Sequence, residues 1–160
     1  MEQSEELSLW LSKGWLEASG DEVQAMVVED LEEQRRQGTP LSEGMAELGR
    51  TERRAGDFGM EIAGTLLAPV LVALLKEFWS GYLKELEKEA EGALAKKTVE
   101  VAKRWFLNAL KSDRNNVPME TLAHKLEELV VAKKLGEEEK VRLLDALSDG
   151  GLQRRLEAQG

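Results

Sequence analysis

Cysteine is absent from the 160 residues, which removes disulfides, thiolate metal ligands and thiol nucleophiles together. Histidine occurs once, as His124. Short alternating β-branched runs bounded by turns are also missing, while helical punctuation recurs throughout, so the chain reads as all-α. Its opening, "MEQSEELSLW", has neither the basic flank nor the apolar stretch of a secretory signal. The expected location is cytoplasmic, with peripheral contact at a membrane left open. There is no Walker sequence, zincin helix, nucleophile elbow or calcium-binding loop. Asp57-Phe58-Gly59 spells a protein-kinase tripeptide, but the glycine-rich loop and catalytic loop that give it meaning are missing.

An enzyme is therefore not expected, and no catalytic residue, cofactor or metal site is assigned. His124 stands between Glu120 and Glu128 at four-residue spacing, which puts all three on one helical face. That face is turned about 200° from Leu122, and di-iron bundles built on Glu-x-x-His need two histidines. His124 reads as an exposed, ordinary histidine.

Against these absences stand 42% hydrophobic and 33% charged residues, the composition of a folded chain rather than a disordered one. The net charge of -9 is unevenly placed: residues 1–33 hold ten of the 31 acidic side chains and, in Lys13, one of the 22 basic ones. The remainder is neutral. A strongly acidic end argues against nucleic acid and points to a covering or interacting segment. The paired arginines Arg35-Arg36, Arg53-Arg54 and Arg154-Arg155 suit helix ends, where cations complement the helix dipole.

Helical spacing links Leu7, Trp10, Leu11 and Trp15. Ser19 and Glu22 then have the spacing of a capping box, and Gly38 that of a left-handed helix end. Thr39-Pro40 opens the next helix. Five glycines between Gly44 and Gly64 make the weakest helical stretch and the expected hinge.

Ile62 to Leu75 is the longest charge-free run. At about 1.5 Å per residue it reaches about 21 Å, short of the roughly 30 Å hydrocarbon core of a bilayer. The expectation is a central apolar helix surrounded by neighbours. Leu66, Leu67, Val70, Leu71, Leu74, Leu75, Phe78, Trp79 and Tyr82 are its candidate interaction or membrane-facing residues. In residues 93–111, Leu94, Val101, Ala102, Trp105, Phe106, Ala109 and Leu110 line one side. Lys96, Lys97, Lys103, Arg104 and Lys111 gather opposite as a basic face.

"KSDRNNVP" reads as a linker. The expected organisation is a bundle over residues 1–111, a linker over 112–117 and a small helical appendage over 118–160. The appendage carries two stripes, Met119, Leu122, Leu126, Leu129 and Val130, then Val141, Leu144 and Leu147, with Leu152 and Leu156 in a last turn.

The functional expectation is a non-enzymatic helical interaction or assembly protein, whose central apolar helix serves packing or self-association. Its partner is a protein or a second copy. The alternative is a latent membrane-active protein, whose apolar helix enters an anionic lipid interface once an acidic N-terminal cover is released.

Overall fold

Two left-handed glycines divide the first third of the chain. Gly20 (φ 86°) and Gly38 (φ 100°) each follow a helix whose last carbonyls are closed by six-residue bonds, Asp21 N to Leu16 O at 2.9 Å and Thr39 N to Gln34 O at 2.9 Å. The computed structural model describes residues 2–57, 67–89, 99–111, 117–148 and 150–159. Among them are eight helices and no strand: α1 (Glu2–Ala18), α2 (Glu22–Arg36), α3 (Leu41–Asp57), α4 (Leu67–Glu89), α5 (Val99–Lys111), α6 (Val117–Lys133), α7 (Glu137–Ser148) and α8 (Gly151–Gln159). The protein is an all-α helical bundle.

The capping of α2 differs from the capping-box reading. Asp21, rather than Ser19, is its N-cap, and the Asp21 carboxylate accepts from Gln24 N at 3.2 Å. Ser19 instead donates back to Leu16 O at 2.8 Å. The glycines Gly44, Gly49 and Gly56 lie inside α3, so that part of the expected hinge is helical. Gly59 and Gly64 lie outside the described residues, as do Phe58, Leu66 and most of the linker.

Helix α1, not α4, occupies the centre. Between Gln3 and Ala18, only Glu6 is exposed. Leu7, Leu11, Trp15 and Leu16 are fully buried, and so are Ser8 and Ser12. α1 packs most extensively on α4 and α2, and also touches α5, α7 and α8. Three of its charged residues, Glu5, Lys13 and Glu17, sit at the rims between helices and find opposite charges there. Glu5 meets Arg35 and Lys76 at 3.4 Å each, Lys13 meets Glu29 at 2.9 Å, and Glu17 meets Arg155 at 3.2 Å. The acidic N-terminal segment is thus built into the core instead of lying over a finished bundle.

α4 is buried on one side through Leu67, Ala68, Leu71, Val72, Leu75, Phe78 and Trp79, while Ala73, Glu77, Gly81 and Glu85 are exposed. Its mixed outer face is incompatible with a helix surrounded by neighbours.

The C-terminal helices join the same core. Trp15 Nε1 donates to Leu143 O across 2.9 Å in a buried bond between α1 and α7. Gly14 lets α8 approach so closely that a Cβ added there would collide with the Leu156 side chain, and Lys111 reaches Glu157 at 2.8 Å. Leu122, Leu126, Leu129, Leu143, Leu147, Leu152 and Leu156 form one cluster with Trp10, Leu71 and Phe106. In α7 the buried stripe is Leu143, Ala146 and Leu147, whereas Val141 and Leu144 are exposed. The stripe is displaced because α7 must turn toward α1 as well as α6.

Removing residues 112–160 would therefore uncover the faces of α1, α4 and α5 that α6 to α8 bury. A chain ending at Lys111 is expected to lose its cooperative thermal transition by circular dichroism. Retention of a melt as sharp as that of the full chain would show that the C-terminal helices are an independent layer.

Candidate functional site

The residues singled out on α4 converge with α1 and α5 in an aromatic cluster. Trp10 lies 6.4 Å from Trp79 and 6.1 Å from Phe106, ring centroid to centroid. Trp79 lies 5.0 Å from Phe106, and Phe78 and Tyr82 stack at 5.5 Å. Leu67, Leu71, Leu75, Phe78 and Trp79 are buried, and Val70, Leu74 and Tyr82 are half-buried against them. These side chains face the chain's own core. As a set they do not form the free interaction or membrane-facing surface expected of them, because α1 has taken the place of a partner.

The helix they stand on begins by an unusual route. Its first two described amides, Leu67 N and Ala68 N, both donate to Gln24 Oε1, at 3.0 and 3.1 Å. Pro69 follows as the third residue of α4, where a missing N–H costs no intrahelical bond. A buried side chain from α2 therefore does the work that an N-cap residue does locally. Pro69 is a first-turn proline.

A second polar group lies where α1, α2 and α5 meet. Burial pulls the Lys13 ammonium down, but the hydrogen bond it donates to Glu29 and the charges of Glu32, Glu29 and Glu17 together hold it above its usual value of 10.5. Burial also pushes the Glu32 carboxyl above its usual 4.5, although Lys13 and Arg36 oppose the shift. Lys103 places its Nζ 5.2 Å from the centroid of Trp10, a contact worth about 0.5–1 kcal/mol.

The expected basic face is thus divided. Lys103 is engaged with Trp10, and Lys111 holds Glu157, lowering that carboxyl's pKa first through their hydrogen bond. Arg104 is exposed. Lys96 and Lys97 lie outside the described residues. Trp105, placed by its spacing on the apolar side of α5, is 38% exposed.

Helical spacing set Val23, Met26, Val27 and Leu31 on one stripe of α2, and Val141, Leu144 and Leu147 on one of α7, but Val23, Met26, Val141 and Leu144 remain open. On α2, Val23 and Met26 are 67% and 63% exposed, beside the exposed acids Glu22, Asp30 and Glu33. Val131 on α6 and Val141 and Leu144 on α7 are exposed as well. Between α4 and α6, Phe78, Tyr82, Glu77, Glu85 and Lys125 line a groove of about 230 Å³. His124 is exposed, and among the described residues no group of three or more His, Asp or Glu is arranged to hold a metal ion. No described helix is long and apolar enough to cross a membrane.

Comparison with protein-family models, curated proteins and solved structures finds no match.

Replacing Gln24 with Leu removes the acceptor for two α4 amides and is expected to cost about 1–2 kcal/mol in urea denaturation. An unchanged midpoint would show that water caps α4 equally well. Glu32 supplies the pH dependence. Because folding raises its pKa, the folded state favours the protonated form, so ionised Glu32 subtracts stability as pH climbs above the unfolded value near 4.5. Glu32→Gln is accordingly expected to gain stability relative to the native chain between pH 4 and pH 7. A difference that stays constant or falls over that range would contradict the assignment.

Proposed function

We propose that the chain is a non-enzymatic helical interaction protein that binds a protein partner through surface outside its core. The observation that carries this reading is the outer face of α2, where Val23 and Met26, three residues apart on one helix, remain 67% and 63% exposed. Unbranched methionine adapts to varied apolar partners, which suits a recognition surface. Glu22, Asp30 and Glu33 border the pair, so the face favours a partner carrying apolar and basic groups. A second copy is the weaker occupant, since a symmetric pairing of α2 faces would set these acids against their counterparts.

Membrane action through release of the N-terminal segment receives no comparable support. Release would unpack Leu7, Leu11, Trp15 and Leu16, all fully buried, and each loss costs a few kcal/mol.

The test is photo-crosslinking in cells from a reactive residue at position 26, with exposed Arg154 as the control position, followed by binding measurements with the purified cross-linked protein. Val23→Ser with Met26→Ser is expected to weaken that complex at least tenfold while leaving the melting curve unchanged. Equal cross-linking from both positions, or equal affinity of the double variant, would overturn the assignment.

A further inference from the structure

The groove between α4 and α6 combines features that its role in packing does not require. We propose that it receives an arginine side chain of a protein partner, an assignment that rests on the interaction reading above and gives it a second, chemically specific contact.

Three observations converge. The floor contains the half-buried Tyr82, braced by buried Phe78, which stacks on it at 5.5 Å and only 15° from parallel. Guanidinium planes stack on such aromatic faces and shed water more readily than an ammonium does. The groove's volume of about 230 Å³ accommodates a guanidinium with part of its methylene stem.

The rim is acidic on both sides of the floor. Glu77 and Glu85 stand two helical turns apart on α4, and both are exposed. The one cation among the described lining residues, Lys125, has a side chain only 12% exposed and is held by Glu77 at 3.5 Å and Glu128 at 3.4 Å. Lys125 and Glu77 thus offset each other, and Glu85 leaves the described lining residues with an excess of negative charge. Glu85 supplies the planar acceptor that matches a guanidinium fork.

The third observation is Gly81, which sits between the two acids inside the 23-residue helix α4. A Cβ at this position would meet nothing within 4 Å, so no neighbour demands a glycine. A helix interior is weakened by glycine relative to alanine. What the missing side chain does provide is an unobstructed wall beside Tyr82.

The experiment is a titration of the full chain with arginine amide, followed by backbone amide NMR, with citrulline amide as the neutral isostere. Shifts are expected to concentrate at Gly81, Tyr82 and Thr121, with a dissociation constant on the order of 1–10 mM, as befits a single side chain. Citrulline amide is expected to produce shifts at least fivefold smaller. Glu85→Gln should weaken arginine amide at least threefold, and Gly81→Leu, which fills the groove, should abolish the shifts. Gly81→Ala should raise the melting temperature by about 2–4 °C.

Equal responses to citrulline amide, or arginine shifts spread over the acidic face of α2, would overturn the proposal. So would a lowered melting temperature for Gly81→Ala, since the glycine would then be a structural requirement. The titration needs no partner, so its failure removes the arginine site while the cross-linking from position 26 still decides the interaction reading. A positive titration with failed cross-linking supports the groove and discards the α2 face.

Discussion

Removal of α1 from solvent is the constraint on which the remaining helices depend. Leu7, Leu11, Trp15 and Leu16 are fully buried, and they point in several directions around one helix, so no single neighbour is able to cover them. Five other helices share the task. The Trp15 indole fixes one of these contacts by direction as well as area, because its N–H must reach Leu143 O inside the core. An indole N–H left without that acceptor would carry a desolvation cost of about 1–3 kcal/mol. Small residues do the complementary work: Gly14 admits Leu156, and the buried serines Ser4, Ser8 and Ser12 recur at one-turn spacing.

The charges of α1 tolerate this position because they lie at the seams. Glu5 bridges toward both α2 and α4, Lys13 toward α2, and Glu17 toward α8. Partly exposed pairs of this kind contribute about 0–1 kcal/mol each. Burial supplies the larger share of the holding energy, at about 25 cal/mol per Å² of apolar surface. The pairs contribute direction, since a rotated α1 would carry its acids into the apolar core.

With α1 at the centre, the apolar side of α4 is satisfied internally and the functional question moves outward. The faces with surplus chemistry are α2, where Val23 and Met26 sit among acids, and the α4–α6 groove, where aromatic rings lie below Glu77 and Glu85. Both set apolar surface beside negative charge, in keeping with a chain of net charge -9. Electrostatic complementarity of this kind speeds encounter and selects partners more than it adds affinity.

Helix spacing and glycine punctuation are local properties of a chain, so the helical class, the left-handed end at Gly38, and burial of Phe106, Leu122 and Leu126 were legible in the sequence. Tertiary structure alone decided which helix lies inside. Hydrophobicity singled out α4, but among the described helices α1 has contacts on the most sides; its serines are small enough to bury, and Glu5, Lys13 and Glu17 find partners contributed by distant helices. The same limit hid the Gln24 cap on α4, 43 residues away in the chain, and the true buried stripe of α7. It also hid the groove, whose wall and floor come from two helices. A spacing rule sees one helix at a time, whereas burial is settled by what the other helices bring to it.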